Sequence, residues 1–349
     1  MQIALALSGG IDSSAAAWLL KNQNWQVTGI TMRHFSDQEM GFLPDKGIES
    51  VIIQAKKVCD YLNIPHIVLD TKASFSQEVI HDFINEYKSG RTPNPCPLCN
   101  RMIKWGNFRK KIKALGFTKI ATGHYIRLQY YKGKYHLFKG IDLKKDQSYM
   151  LWQLDQSQLV DTVFPLAKFT KEQAREIIKD NNIPVNLKKE SQEICFIKNH
   201  YEDFLKNRIK FVPGNIALPN GKIIGKHHGL PLYTVGQRKG IHTKLNEVLY
   251  VKKLDTKNNA LIVTPDPDDL LRSDFWIDQV NWIADSPLSE DKLYVQIRYN
   301  SNQQEVKKLE FADDRIKVLL KQKARAVSPG QSAVFYRNDE LIGGGIILS

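Results

Sequence analysis

Residues 5–20 read LALSGGIDSSAAAWLL, and the rest of the chain is organised around them. The apolar run from Gln2 to Leu7 is typical of a buried strand, which ends at a Ser-Gly-Gly turn. The alanine-rich sequence that follows predicts a helix, with Asp12 and the two serines after it as N-cap residues. The two glycines let the backbone approach an oxyanion, and the first helical N–H groups point towards it. The stretch therefore predicts an anion site at a strand–helix junction.

This loop is not the phosphate loop of a kinase or GTPase, because no Gly-Lys-Ser/Thr follows it. It resembles the Ser-Gly-Gly-x-Asp-Ser pyrophosphate loop (PP-loop) of enzymes that split ATP into AMP and pyrophosphate to adenylate a substrate. The resemblance implies that the loop holds the pyrophosphate half of ATP and that Asp12 is linked to Mg²⁺. For this segment alone, an ordinary strand–helix turn with a capped helix is the alternative.

The composition is that of a folded protein with two or three domains: 349 residues, 42% hydrophobic and 25% charged. No apolar run approaches the roughly eighteen residues of a membrane span. The first strand also begins too early for a signal peptide, so we expect a cytoplasmic protein without membrane association. A net charge of +13 favours a polyanionic partner. The four cysteines do not form a disulfide framework in a chain of this length.

Strands and helices alternate after the first helix. Strands are predicted at Trp25–Met32 and His66–Leu69, and helices at Ile48–Leu62 and Phe75–Tyr87. The alternation implies βαβ units and an α/β fold with a doubly wound parallel sheet, whose ligands bind beyond the carboxyl ends of the strands. Cys59 belongs to the apolar face of the second predicted helix, so we expect it to be buried and inert.

Two further segments contain cysteines. Residues 90–101 read GRTPNPCPLCNR; their three prolines predict an extended loop with no helix before Leu98, which fits a reactive or metal-binding site at Cys96 and Cys99. The basic residues that follow predict a helix with phosphate contacts or a solvated face: Arg101, Lys104, Arg109, Lys110, Lys111 and Lys113. Cys195 lies between Ile194 and Phe196, a setting that on its own favours core packing.

The sequence pattern changes near residue 210, where glycine and proline residues begin to separate short apolar runs. This pattern predicts a small β-rich domain over residues 210–271, after a catalytic domain over residues 1–209. Short strands dominate residues 272–349 and predict a small C-terminal β-barrel.

Taken together, the segments resemble the family of tRNA-specific 2-thiouridylases (tRNA-uridine 2-sulfurtransferases) along essentially the whole chain. The markers are Ser8–Ser14, Gly90–Asn100, Ala121–Tyr125, Lys145–Ser148, Ile194–Ile197, His228–Leu230, Gly236–Gly240 and Pro329–Tyr336. The resemblance implies a PP-loop fold of the adenine nucleotide alpha hydrolase type. It also implies ATP-dependent 2-thiolation of the wobble uridine in tRNAs for lysine, glutamate and glutamine. The implied partners are tRNA and a sulfur donor, either a cysteine desulfurase or a sulfur-relay protein, and the implied state is a monomer.

The resemblance also assigns roles to residues. Cys99 matches the nucleophilic cysteine, and Cys195 matches the cysteine that forms a persulfide. The positions that match the ATP site are Ala6, Leu7, Ser8, Gly9, Gly10, Ile11, Asp12, Ser13, Met32 and Gly123. The positions that match tRNA contacts are Asn94, Pro95, Cys96, His124, Lys145, Asp146, Gln147, Arg298, Tyr299 and Gln331.

One position departs from the family pattern, since many members have aspartate where this chain has Cys96. Cys96, Cys99 and Cys195 are three candidate thiolate ligands for a 4Fe–4S cluster whose fourth iron would bind sulfide. A zinc ion is a further option, without an evident fourth ligand. Persulfide and cluster routes both stay open, and the additional cysteine favours the cluster.

Two other classes of function compete with this interpretation. One is another PP-loop adenylating enzyme, such as a 4-thiouridine, 2-thiocytidine or lysidine synthase or an amidotransferase synthetase. The segment around Cys195 and the two β-rich domains argue against it. The other is a non-catalytic nucleotide-dependent RNA-binding protein, which would need no cysteine-containing loop.

Overall fold

The computed structural model describes residues 1–43, 47–187, 194–198, 200–245, 247–288 and 291–348. Strands and helices alternate through its first part: β1 (Gln2–Ala6), α1 (Ile11–Asn22), β2 (Gln26–Arg33), α2 (Asp37–Met40), α3 (Ile48–Leu62), β3 (His66–Asp70), α4 (Lys72–Phe75), α5 (His81–Lys88), α6 (Pro95–Leu98), α7 (Arg109–Ala114), β4 (Lys119–Thr122), β5 (Ile126–Tyr131), β6 (Lys134–Lys139), α8 (Gln156–Leu159), β7 (Thr162–Val163), α9 (Lys171–Asp180) and α10 (Tyr201–Lys206).

The predicted doubly wound sheet is confirmed. Its parallel strands are arranged in the order β3-β2-β1-β4-β7. Strand β1 is covered on both faces: Ile3 and Leu5 pack towards α1 and α3, whereas Ala4 packs into a second core on the opposite face. Cys59 lies in the first of these cores with 0% exposure, as predicted, and burial raises the pKa of its thiol to about 12.

Two continuous helical segments that pack on the Ala4 face of the sheet contain π-helical turns. Residues Ser76–Ile80 connect α4 to α5, and residues Cys99–Phe108 connect α6 to α7. The expectation that no helix would begin before Leu98 is wrong, because α6 begins at Pro95. The Asn94 side chain caps it by accepting from the N–H of Cys96 at 3.2 Å. The prolines are tolerated because the N–H groups of a first helical turn have no intrahelical partner.

The remaining strands form two further sheets. The middle one contains β8 (Gly214–Ala217), β9 (Ile223–His227), β10 (Tyr250–Asp255) and β11 (Ala260–Thr264). The C-terminal one contains β12 (Leu271–Trp282), β13 (Tyr294–Gln296), β14 (Gln304–Ala312), β15 (Arg315–Arg325), β16 (Ser332–Arg337) and β17 (Glu340–Ile347). Pairing of β12 with both β15 and β17 closes the C-terminal strands into the predicted barrel.

The barrel is joined directly to the α/β part. The hairpin β5–β6 extends its sheet through the pairing of β6 with β17. Nearby, the Trp152 indole donates to Ser332 Oγ at 3.0 Å, and the Tyr149 hydroxyl donates to the Ser332 carbonyl at 2.8 Å. In the described part of the chain, no helix is both long and apolar enough to cross a membrane.

Candidate active site

The Ser-Gly-Gly loop forms a tight turn at the carboxyl end of β1. Gly9 has φ +69°, and a Cβ there would lie 2.6 Å from the backbone nitrogen of Ala55, so only glycine fits. The N–H of Ser8 donates to Ser13 Oγ at 3.2 Å, which folds the loop over the start of α1. The two sheet neighbours of β1, β2 and β4, lie on opposite sides of it, which makes this edge the topological switch point.

The capping prediction for α1 is wrong. The helix begins at Ile11 with Gly10 at the N-cap, and no side chain caps it. The left-handed turn at Gly9 shifts the start of the helix, so that Asp12 and the serines after it lie within α1 itself. The uncapped N–H groups of this twelve-residue helix are an intrinsic anion site.

The predicted ATP residues lie together at this edge. Residues 6–13 form the loop, Met32 lies in β2, and Gly123 follows β4. A Cβ on Gly123 would lie 2.8 Å from the backbone carbon of Asp12, so this glycine allows the end of β4 to contact the loop backbone.

The Asp12 carboxylate already has two partners in the protein. Its Oδ1 accepts from the Lys171 ammonium at 2.6 Å and from the Tyr125 hydroxyl at 2.7 Å. Sequence reasoning identified neither residue as part of the site. The available signal was Lys171 itself, a cation in the first turn of a helix, where the helix dipole disfavours positive charge.

The three predicted site cysteines share one electrostatic environment. Cys96 and Cys99 lie on consecutive helical segments, and both raise the pKa of the Cys195 thiol, as does desolvation, the larger effect. Cys195 has the most exposed residue surface of the three, yet the protein packed around its sulfur dominates its titration. Desolvation also raises the pKa of Cys96, and that of Cys99 to about 11. The free protein therefore holds all three as neutral thiols at pH 7.

Lys104 connects this cysteine cluster to the nucleotide edge. Burial raises the pKa values of Cys96, Cys99 and Cys195, and the charge of Lys104 offsets part of that rise. Burial lowers the pKa values of His34, directly after β2, and of His124, two residues after β4, and the charge of Lys104 lowers them further. Cys99 and Lys104 are five residues apart in a π-helix, whose hydrogen bonds link residues i and i+5, so one turn separates them.

The metal site predicted at Cys96, Cys99 and Cys195 stays a prediction. No group of three His, Cys, Asp or Glu side chains in the described ranges, which include all four cysteines, is spaced to hold a metal ion. Soft thiolates suit an iron–sulfur cluster chemically, and in a 4Fe–4S cluster each cysteine binds a different iron, so the three sulfurs need not meet at a single ion.

Most residues that the resemblance assigned to tRNA connect parts of the protein here. Gln331 Nε2 donates to the Thr92 carbonyl at 2.7 Å, which ties the cysteine segment to the barrel. Arg298 donates to Ser328 Oγ at 2.6 Å, and the Tyr299 hydroxyl donates to the Asp146 carbonyl at 3.2 Å. The other assigned residues have these positions: Asn94 caps α6, Pro95 and Cys96 lie in α6, His124 contacts Thr122 Oγ1, Lys145 is half-buried, Asp146 accepts from Ser148 Oγ, and Gln147 Oε1 accepts from the N–H of Tyr125.

Part of the basic helix is structural as well. Arg109 and Lys113 both pair with Asp161, at 2.8 Å and 2.6 Å. The exposed members of the set are Arg101, Lys110 and Lys113, of which Lys113 is engaged by Asp161. Phosphate contacts from this helix are therefore expected mainly from Arg101 and Lys110 rather than from the whole set.

Comparison with known proteins covers almost the entire chain. Family models match the tRNA methyl transferase HUP domain over residues 1–199, the tRNA methyl transferase PRC-barrel domain over 202–265 and the Aminomethyltransferase beta-barrel domain over 272–347. A tRNA-specific 2-thiouridylase MnmA from Halothermothrix orenii is 42% identical over 99% of this chain and 98% of its own. A protein of the same name from Carboxydothermus hydrogenoformans is 40% identical over 99% of this chain and 97% of its own.

Solved structures match more loosely. The U34-tRNA thiolase NcsA from Methanococcus maripaludis, a structure with a [4Fe-4S] cluster, has 18% sequence identity and a TM-score of 0.35, covering 56% of this chain and 61% of that one. A similarity at this level does not bear on the ligands of the present chain.

Proposed function

The chain belongs to the tRNA-specific 2-thiouridylase family, and from this premise we propose that it catalyses ATP-dependent 2-thiolation of a wobble uridine in tRNA. The observation that carries the proposal is the position of Lys104. Its charge affects the pKa values of the histidines that follow β2 and β4, the strands on either side of the Ser-Gly-Gly loop. It also affects the pKa values of all three site cysteines. Thiol chemistry and nucleotide chemistry therefore meet at one edge of the sheet.

The first step is activation of the uridine. Its O2 attacks the α-phosphorus of ATP, the bond to the bridging β-phosphate oxygen breaks, and pyrophosphate leaves. The N–H groups at the start of α1 stabilise the negative charge that pyrophosphate gains. Mg²⁺ would be held by the phosphates and the Asp12 carboxylate, a hard oxygen ligand of the kind it prefers, and would neutralise part of that charge.

We propose that the second step transfers sulfur through Cys99 and Cys195, the two cysteines that match the nucleophile and the persulfide carrier. The outer sulfur of a persulfide on Cys195 attacks C2 of the activated uridine, and AMP leaves with the former O2. The Cys99 thiolate then attacks the inner sulfur, which releases 2-thiouridine and leaves a disulfide between Cys99 and Cys195. A dithiol reductant restores both thiols. Burial raises the pKa of Cys99 to about 11, and the charge of Lys104 offsets part of that rise in favour of the thiolate that this step needs.

The substrate and partners follow from the same proposal. We propose lysine, glutamate and glutamine tRNAs as substrates in the cytoplasm, with a cysteine desulfurase or a sulfur-relay protein loading Cys195. Residues 1–209 would carry the chemistry of a monomeric enzyme, while residues 210–271 and 272–349 would position the tRNA. The target base must leave its stack to reach the cysteines.

The direct test is nucleoside analysis by mass spectrometry of unmodified tRNA incubated with the protein, ATP and a sulfur donor. We expect 2-thiouridine at the wobble position, together with AMP and pyrophosphate. Omission of ATP should abolish the product. Formation of 4-thiouridine, 2-thiocytidine or lysidine would assign the chain to another adenylating activity, and no modified base at all would leave only a binding function.

The affinity for tRNA should fall steeply with salt. The net charge of +13 and the exposed Arg101 and Lys110 predict release of counterions from the RNA, with a slope of log K against log salt of roughly −0.7 to −0.9 per phosphate contacted. Filter binding between low and physiological salt measures this slope. The double variant Arg101→Gln/Lys110→Gln should flatten it, whereas an affinity independent of salt would assign the charge to another role.

A further inference from the structure

A buried lysine contacts Asp12 in the Ser-Gly-Gly loop. Lys171 is 7% exposed, and its ammonium donates to Asp12 Oδ1 at 2.6 Å. The Tyr125 hydroxyl donates to the same oxygen at 2.7 Å, so this carboxylate is held from two sides. An ammonium has three donors, and the bond to Asp12 occupies one of them. The geometry therefore brings a desolvated cation to Asp12, near the end of the Ser-Gly-Gly loop.

The helix that contains Lys171 does not account for its burial. Helix α9 packs against α1 through Ala174 and Ile178, both essentially buried. Thr170 and Gln173 form a capping box that already completes the N-terminus of α9. A cation in the first turn opposes the helix dipole, and burial of a lysine costs desolvation and side-chain entropy. Neither helix stability nor core packing explains a buried ammonium here.

The negative charge expected at the loop explains better why the Lys171 ammonium is buried. A pyrophosphate group brings several negative charges to the start of α1, where the Asp12 carboxylate adds one more. The helix N-terminus supplies only about half a positive charge. Lys171 forms an ion pair with Asp12. Its ammonium therefore offsets the repulsion between that carboxylate and an incoming phosphate.

We propose that Lys171 binds the pyrophosphate half of ATP and that Asp12 and Tyr125 position its ammonium beside the loop. This inference rests on the proposed function, in which the loop binds ATP. It assigns the reacting nucleotide two sets of protein ligands from distant parts of the chain, the backbone of residues 8–13 and a side chain of α9. When pyrophosphate leaves, the ammonium stabilises the charge on the leaving group.

The test compares binding of two halves of the nucleotide by isothermal titration calorimetry. In Lys171→Gln, we expect the affinity for magnesium pyrophosphate to fall about tenfold to a hundredfold, the loss of one charge-assisted hydrogen bond. The affinity for AMP should change less than about twofold, since AMP lacks the β- and γ-phosphates. Lys171→Arg should retain most of the pyrophosphate affinity. Lys179→Gln removes an exposed lysine at the other end of α9 and should bind both ligands like the wild type.

A second variant, Asp12→Asn, tests the proposal even if Lys171→Gln fails to fold, because it is expected to bind pyrophosphate more tightly. Asp12→Asn removes the competing carboxylate charge, so pyrophosphate in the presence of a chelator should bind more tightly than to the wild type. An unchanged or weaker metal-free affinity in Asp12→Asn, or equal losses for pyrophosphate and AMP in Lys171→Gln, would overturn the inference. A wild-type protein that binds neither ATP nor pyrophosphate would instead overturn the proposed function.

Discussion

Cys99→Ser and Cys195→Ser are each expected to abolish formation of 2-thiouridine while leaving the binding of ATP and tRNA unchanged. A serine at 195 cannot carry a persulfide, and a serine at 99 cannot open the sulfur–sulfur bond, because an alcohol is a far weaker nucleophile than a thiolate. The measurement is nucleoside mass spectrometry, combined with mass analysis of the protein after incubation with the sulfur donor. Cys99→Ser should accumulate a protein one sulfur atom heavier, whereas Cys195→Ser should not.

Cys59→Ser is the matched control. Its side chain lies in α3, in the core of the sheet domain at 0% exposure. A buried, unpaired hydroxyl there should lower the free energy of unfolding by about 1–3 kcal/mol without lowering turnover per folded molecule. If Cys59→Ser lost activity as completely as the other two, or if either site variant retained wild-type turnover, the cysteine assignments would be wrong.

Cys96→Asp separates the two sulfur routes. If sulfur travels as a persulfide, this change restores the commoner family residue and should retain activity. If the three thiolates hold a cluster in the working enzyme, a hard ligand replaces a soft one, so iron content and activity should fall together. Iron analysis and visible absorbance of anaerobically purified protein, wild type beside Cys96→Asp, give the answer.

The loop and the sheet could be predicted from sequence because their signals are local. A buried strand, a glycine turn and an alanine-rich helix follow one another within twenty residues. The partners of Asp12 could not be predicted in this way, since Tyr125 and Lys171 are 113 and 159 residues away along the chain. Only the packing of α9 on α1 and the close approach at Gly123 bring them to the loop.

The cysteine segment shows a second kind of limit. Prolines predict an extended segment, but Pro95 and Pro97 occupy the first turn of α6, where they are tolerated. The π-helix from Cys99 to Phe108 has no sequence signature, yet it decides that Lys104 lies one turn from Cys99. Pairing of the hairpin β5–β6 with the final strand is likewise a long-range contact that local patterns do not encode.

The second large effect is expected from Asp12→Ala, which should abolish ATP-dependent thiolation and leave tRNA binding nearly unchanged. The change removes the carboxylate proposed to hold Mg²⁺ and leaves Lys171 and Tyr125 without their acceptor. An unpaired buried ammonium is costly, so the variant should also unfold at a lower temperature. The exposed Arg101 and Lys110, which we propose to contact tRNA, keep their charge.

Asp12→Asn distinguishes the metal function of this carboxylate from its structural function. The amide oxygen can still accept from Lys171 and Tyr125, so stability should approach that of the wild type, but a neutral amide is a poor ligand for Mg²⁺. Both variants should therefore be inactive in nucleoside analysis, while only Asp12→Ala shows a lowered melting temperature. Near-normal thiolation by Asp12→Asn would mean that the residue serves to position Lys171 alone. Near-normal thiolation by Asp12→Ala would remove the residue from the mechanism altogether.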